Sequence, residues 1–426
     1  MRFVSTRGKA APAGLSEAIA AGLAPDGGLY VPEKLPKLAL ADFDGATTLP
    51  QIATVLLRPF FADDALASEL SGICEEAFDF PVPLRDLGDG RFLLELFHGP
   101  TAAFKDFGAR FLAACVKRLR ANASQDVTII VATSGDTGAA VGGAFCGVPN
   151  VRVAILYPDG RVSPRQAHQL GAFGGNVRAL RVAGSFDDCQ ALVKRALNDS
   201  DLQAIVPLRS ANSISLGRLL PQMSYYAKAA LDHFRAHGEK LGFAIPTGNL
   251  GNALACILAR EMGLPIGDVL LATNANDVLP RFFDGDTYEP KASLSTLANA
   301  MDVGAPSNFE RLRWLYSDDA QLRAAFCAIS VGDEAIRETI QNIWDAHLFA
   351  ICPHTATAVH ALERFKPAGA WAIVATAHPA KFESIVEPLV GAHVAPPKAL
   401  AELLQRPAHA HPMPADYVAF VAELQR

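Results

Sequence analysis

Val127-Thr128-Ile129-Ile130-Val131 is an unbroken run of β-branched residues, followed at once by the glycine-containing Thr133-Ser134-Gly135-Asp136-Thr137-Gly138. Continuous apolarity over a strand-length window fits a strand covered on both faces, as the strands of parallel sheets are. The scheme recurs downstream. Val151 to Leu156 reads as the next strand, Ser163-Pro164 as the N-cap and first residue of a helix, Val177 to Val182 as a further strand and Phe186 to Leu197 as a helix. Phe243-Ala244-Ile245, Val269 to Ala272 and Ala372-Ile373-Val374 read as additional buried strands. Strands that alternate with helices in this way predict an α/β fold, doubly wound, with mostly parallel sheets.

Outside this succession the character of the chain changes. Residues 1–82 mix amphipathic helical stretches with the turn-rich Ala24-Pro25-Asp26-Gly27-Gly28-Leu29-Tyr30-Val31-Pro32 and carry no βαβ unit, so they form a separate N-terminal unit. Residues 83–387 make the core, as two α/β lobes. Residues 388–426 turn Pro- and His-containing and end in the amphipathic Ala415 to Leu424, expected as a helix packed on the core. A chain of 426 residues exceeds what a single hydrophobic core supports, in line with such a division.

Composition removes several classes of function. Half of the residues are hydrophobic and only 19% are charged, which is a compact globular chain and not a disordered one. The net charge of -6 offers no basic stripe to displace counterions from nucleic acid, so no nucleic-acid partner is expected. Seven cysteines lie apart with no C-x-x-C pair, which argues for reduced buried thiols and against a disulfide framework or a zinc knuckle. The start lacks the apolar stretch of a signal peptide and no run is long enough to span a bilayer, so a cytoplasmic protein without membrane contact is expected. His354 and His378 have neither an i, i+4 partner nor a carboxylate at ligand spacing; they read as structural histidines, and no metal is expected.

Four segments have the residue types of a reactive site. In Phe97-His98-Gly99-Pro100-Thr101-Ala102-Ala103-Phe104-Lys105-Asp106-Phe107-Gly108, a Gly-Pro-Thr turn precedes a lysine flanked by two phenylalanines, with a helix-forming run from Ala109 to Leu119 behind it. Desolvation disfavours an ammonium, so a lysine so placed loses its proton near neutrality and attacks an aldehyde; a solvated helix lysine is the plain alternative. Thr133 to Gly138 opens a helix after a strand, where backbone N–H groups and hydroxyls suit a carboxylate or a phosphate. It fits neither G-x-G-x-x-G nor the Walker pattern, and alone it would also pass for a glycine-rich turn. Thr247-Gly248-Asn249-Leu250-Gly251-Asn252 also joins a strand to a helix, and its glycines permit close backbone approach to a phosphate; an ordinary strand-to-helix turn is the alternative. Asn212-Ser213-Ile214-Ser215-Leu216-Gly217-Arg218 offers an arginine that would hold a phosphate through two parallel hydrogen bonds, with an amide and a hydroxyl beside it. Thr376 follows the strand ending at Val374, at the sheet end where ligands of α/β proteins gather.

Phe97 to Gly108 resembles the cofactor-lysine segment of threonine synthases, which belong to the tryptophan-synthase-β-like, fold-type II group of pyridoxal-phosphate enzymes. Similar blocks run from Phe3-Val4-Ser5-Thr6-Arg7-Gly8 and Gly22 to Tyr30 through to Thr376-Ala377-His378-Pro379-Ala380-Lys381-Phe382, and the long N-terminal unit matches the bacterial and fungal branch. The resemblance implies pyridoxal 5'-phosphate as cofactor, with Lys105 as the lysine that carries it and serves as the catalytic proton carrier. It implies that Gly248, Asn249, Leu250, Gly251 and Asn252 form the cup for the cofactor's phosphate and that the Thr376 hydroxyl meets the pyridine nitrogen. Ser134 and Thr137 fall where the substrate's carboxylate binds, and Asp136 where a side chain faces the cofactor's 3-hydroxyl, a position at which relatives often have Asn. Asn212, Ser213 and Arg218 fall where the substrate's phosphate binds.

The activity so implied is conversion of O-phospho-L-homoserine and water to L-threonine and phosphate, the closing step of threonine biosynthesis, by a monomer or homodimer acting on a small-molecule substrate. Three rivals share parts of the pattern. A threonine-synthase-like phospho-lyase would release 2-oxobutyrate with the same residues. A serine or threonine dehydratase would bring no phosphate for Arg218, and a non-enzymatic ligand-binding module would have no use for Lys105.

Overall fold

A computed structural model describes residues 1–426 and contains two principal sheets and a small N-terminal one. The strand Val127–Ala132 is buried at every position, which is why its sequence shows no alternation. It is paired in parallel with Val151–Pro158 on one side and Leu208–Ser210 on the other; Val177–Ala183 and Ala410–Pro414 extend the sheet, giving five strands, all parallel. The second sheet has six strands in the order Cys327–Ser330, Ile266–Thr273, Leu241–Pro246, Trp371–Ala375, Arg91–Glu95 and Leu84–Gly88. Only its last pair, a hairpin, is antiparallel. The α/β architecture with mostly parallel sheets is therefore as expected, and no helix is long and apolar enough to cross a membrane.

The N-terminal segment adds a two-stranded antiparallel sheet, Phe3–Ser5 with Tyr30–Pro32. Its helices Leu49–Leu57 and Leu70–Ala77 pack against Met223–His237 and Lys105–Leu119 respectively. Leu49–Leu57 starts at a capping box, Thr48 and Gln51, and buries Ile52, Ala53, Leu56 and Leu57, the i, i+1, i+4, i+5 stripe of an amphipathic helix. Phe61 and Phe78 meet Phe111 of the lysine-bearing helix with ring centroids 6.1 and 6.0 Å apart, so the N-terminal segment backs the helix that carries the candidate lysine.

Two local expectations need correction. The helix after the Gly-Pro-Thr turn begins at Lys105 and not at Ala109, because Phe104 already has helical dihedrals and the first turn is completed by buried Asp106 and Phe107. The Pro-containing tail holds a strand, Ala410–Pro414, parallel to Val177–Ala183 with Pro412 opposite Arg181. Proline lacks a donor for a central ladder, and this strand sits at the sheet edge, where that lack costs least. The tail helix Tyr417–Gln425 follows, capped by Asp416 accepting from Ala419 N–H.

Candidate active site

Five segments leave the carboxyl ends of strands from both sheets and converge: the loop after Arg91–Glu95, Thr133 to Thr137, Ala211 to Arg218, Thr247 to Asn252, and Thr376. They line a single cavity of about 880 Å³. Every residue singled out from the sequence stands on its wall: Lys105, Ser134, Asp136, Thr137, Asn212, Ser213, Arg218, Gly248 to Asn252, and Thr376.

Lys105 is held by interlocking backbone. Phe104 N–H donates to Thr376 O at 2.8 Å, His378 N–H donates to Ala102 O at 3.0 Å, and Ala103 pairs with Ala377 as an isolated antiparallel bridge. Ala102 adopts φ 56, a left-handed turn that swings the chain into the helix. The Lys105 ammonium lies 5.8 Å from the Phe104 ring centroid. Burial is the main cause that brings its pKa down to about 8; Arg218 and Lys381 act in the same sense and Asp136 opposes them. A lysine in that range supplies uncharged amine at neutral pH.

Gly108, one turn along, makes room for the arginine segment. A Cβ there would come within 2.7 Å of Arg218 O and 3.0 Å of its Nε. Arg218 is 1% exposed; its Nη1 donates to Ala211 O at 2.6 Å, and its Nε has no partner in the protein. No carboxylate pairs with it.

The loop Thr247 to Asn252 presents donors. Leu250 has φ 63, so the chain reverses into the helix Gly251–Glu261, whose first internal bond is Leu254 N–H to Leu250 O at 2.8 Å. The N–H groups of Gly248, Asn249, Leu250, Gly251 and Asn252 have no protein acceptor. Asn252 Oδ1 accepts from Tyr225 and Tyr226 hydroxyls, and its buried Nδ2 has no partner. Unpaired donors at a helix N-terminus form an anion site.

The Thr133 to Gly138 segment is partly self-satisfied. Thr133 Oγ1 accepts from both Gly135 N–H and Gly138 N–H at 2.9 Å, so those two donors are not free for a ligand, as the sequence alone would suggest. Asp136 begins the helix Asp136–Phe145, and its Oδ1 accepts from Gln166 Nε2 at 3.0 Å and from Lys381 Nζ at 2.8 Å. The nearby cations Lys381 and Lys105 outweigh the opposing effect of burial and hold this carboxyl well below the usual carboxylate range.

Lys381 escaped the sequence reading although it lies within the quoted Thr376 to Phe382 block; its signal was the one used for Lys105, a lysine among apolar residues. Arg311 was also missed. Buried in the helix Phe309–Leu315, it donates to Tyr30 O at 3.0 Å, Asn308 Oδ1 at 2.8 Å and Ile214 O at 2.6 Å, tying the N-terminal segment to the arginine segment. No local motif announces it. His354, which also lines the cavity, and His378 each accept a backbone N–H: Nε2 of the first from Ala300 at 3.0 Å and Nδ1 of the second from Ala380 at 3.2 Å.

Comparison with known proteins agrees with this geometry. The family model described as "Pyridoxal-phosphate dependent enzyme" matches residues 82–377, "Threonine synthase N terminus" matches 2–78 and "Threonine synthase, C-terminal" matches 355–423. Threonine synthase of Escherichia coli K12 is 39% identical over 407 residues, covering 95% of this chain and 94% of that protein. Threonine synthase of Schizosaccharomyces pombe is 32% identical, covering 90% and 88%. Among solved structures, threonine synthase from Escherichia coli superimposes with a TM-score of 0.92 at 38% identity, over 100% of this chain and 99% of that one. The pyridoxal-phosphate-bound threonine synthase from Brucella melitensis gives 0.92 at 34%, over 100% and 99%. A match of this extent, through all three parts of the chain, shows that the protein belongs to the threonine synthase family of pyridoxal-phosphate-dependent lyases.

Proposed function

We propose that the chain converts O-phospho-L-homoserine and water to L-threonine and phosphate, with Lys105 as the cofactor-bearing and proton-carrying lysine. The observation that carries this reading is that one cavity brings together two groups of donors without an anionic partner and an amine poised near neutrality. The five N–H groups of Gly248 to Asn252, which have no protein acceptor, are read as one anion site, and Arg218, which has no counterion and a free Nε, with Asn212 and Ser213 as the other. A buried guanidinium without a counterion costs several kcal/mol, which a bound phosphate would offset.

The residues fit pyridoxal 5'-phosphate. Lys105 would hold its aldehyde carbon, Gly248 to Asn252 its phosphate, Thr376 its ring nitrogen, and Asp136 would face the ring hydroxyl. When bound, the cofactor supplies an electron sink for charge developed at the substrate's α carbon. The protein supplies the rest. Arg218, Asn212 and Ser213 bind and orient the substrate's phosphate and stabilise it as it leaves. Ser134 and Thr137 bind the substrate's carboxylate. The freed Lys105 amine takes the proton from Cα and moves protons at the neighbouring carbons, its pKa near the operating pH making it able to accept and to donate.

Product analysis tests the proposal. The cofactor-loaded enzyme given O-phospho-L-homoserine is expected to yield threonine and phosphate in equal amounts. Release of 2-oxobutyrate in place of threonine would make it a phospho-lyase, and no turnover with no bound cofactor would make it a binding module.

A further inference from the structure

Asp136 on the cavity wall is ion-paired with a buried lysine, Lys381, to which the reaction as proposed gives no role. Lys381 Nζ lies 2.8 Å from Asp136 Oδ1, and the two side chains are 1% and 4% exposed. The same ammonium donates to Thr101 O at 2.8 Å, in the turn that leads to Lys105. Lys381 is presented by the short turn Pro379–Phe382, and that turn is itself fixed by the His378 ring accepting from Ala380 N–H. Gln166 Nε2 holds Asp136 Oδ1 from another side, and both contacts fall on Oδ1, so neither engages Oδ2.

We propose that Lys381 is a positioning residue: its ammonium keeps Asp136 as a fixed carboxylate on the cavity wall and stops Lys105 from becoming that carboxylate's ion-pair partner, leaving the Lys105 amine free to act. The proposal rests on the reading of Lys105 given above. Its physical basis is the charge inventory of a dry site. The charged and titratable groups that act on Asp136 are Lys381, Lys105 and His354, with Cys352 also within its field; Arg218 acts on Lys105, and Asp106 on the helix Lys105–Leu119 interacts with Lys381. Only Lys381 is close enough to Asp136 to form an ion pair. After Lys381, Lys105 is the cation that acts most strongly on Asp136. If Lys381 were neutral, the buried carboxylate would draw on the Lys105 ammonium and favour its charged, unreactive form. An amide at position 136 would need no such cation; a carboxylate there does, so residues 136 and 381 form a functional pair.

The pair is tested on the apoprotein by following the rate at which added pyridoxal 5'-phosphate is captured, as a function of pH, with borohydride fixation and peptide mapping of each sample. Lys381→Met is expected to move the midpoint of the profile upward by about one pH unit, since a charge that favours free amine is lost. Lys381→Arg should keep the midpoint, and Asp136→Asn should move it downward. The double variant Asp136→Asn with Lys381→Met should return close to the unaltered protein. A purely structural role would lower the amount captured at every pH without moving the midpoint, and an unmoved midpoint in Lys381→Met with the label on Lys105 overturns this proposal alone. Label on Lys381 in the unaltered protein overturns this proposal and the Lys105 assignment together. If Lys381→Met does not fold, the double variant decides, and a midpoint displaced there overturns the pairing.

Discussion

The side-chain amide of Asn249 donates to the hydroxyl of Ser213 at 2.8 Å, joining the loop proposed to cradle the cofactor's phosphate to the segment proposed to hold the substrate's. Asn249 Oδ1 in turn accepts from Ser307 N–H at 2.5 Å, and Asn308 Nδ2 donates to Asn249 O at 3.0 Å. Arg311 locks Asn308 and Ile214 from behind. The two segments proposed to hold phosphates are thus tied together through side-chain and backbone hydrogen bonds, as fixed placement of two phosphates would require.

Asn249→Ala and Ser213→Ala should therefore not act independently. Each is expected to lower kcat/KM for O-phospho-L-homoserine, and the double variant to lose less than the sum, with a coupling of about 1 kcal/mol, the worth of one shared hydrogen bond. Additive losses would mean that the two loops work separately.

The two glycines of the cup are not equivalent. A Cβ at Gly248 would lie 2.7 Å from Met301 Cα, a backbone atom that has no rotamer to escape by, whereas at Gly251 the closest atom is Asn308 Nδ2 at 3.4 Å. Gly248→Ala is expected to lose cofactor on gel filtration, and Gly251→Ala to retain most of it. Equal retention in both would contradict this account of the loop.

Arg218→Ala should leave cofactor capture intact while raising KM or lowering turnover for the phosphorylated substrate. The expected cost is on the order of 2 kcal/mol, because a buried phosphate loses a charge-assisted partner. Arg218→Lys should restore only part, since a point charge does not reproduce the two-pronged guanidinium. Loss of cofactor with normal substrate constants in the reconstituted enzyme would reverse the two sites.

The contrast between what the sequence revealed and what it hid has a physical pattern. Val127 to Val131 and the other buried parallel strands were legible because burial on both faces leaves an unbroken apolar run, and Phe186–Leu197 because its apolar residues follow helical spacing. The strand Ala410–Pro414 was hidden because its prolines contradict strand propensity and only an edge position tolerates them. Lys105, Asp136 and the glycine loops lie in contiguous segments with recognisable chemistry. Lys381 and Arg311 act across the fold, 245 and 281 positions from Asp136 and Tyr30, so no spacing in the chain records their partners.

His354 illustrates a titratable group that should not report in the pH profile. Burial, with help from Lys105 and Lys381 and against Asp136, brings it from 6.5 down to about 4, so it stays neutral above that range and its Nε2 remains an acceptor for Ala300 N–H. The rate profile is expected to show no histidine step near 6.5 that depends on this residue. An acid limb in that region, abolished by His354→Gln, would show that the ring is charged in the working enzyme.

The most direct test of the whole account is the identity of the lysine that holds the cofactor. Borohydride reduction of the loaded protein, followed by digestion and mass analysis, is expected to leave the pyridoxyl phosphate group on the peptide containing Lys105, and Lys105→Ala to yield no fixed label. Label on any other lysine, the buried Lys381 above all, would contradict the assignment on which the site and its chemistry rest.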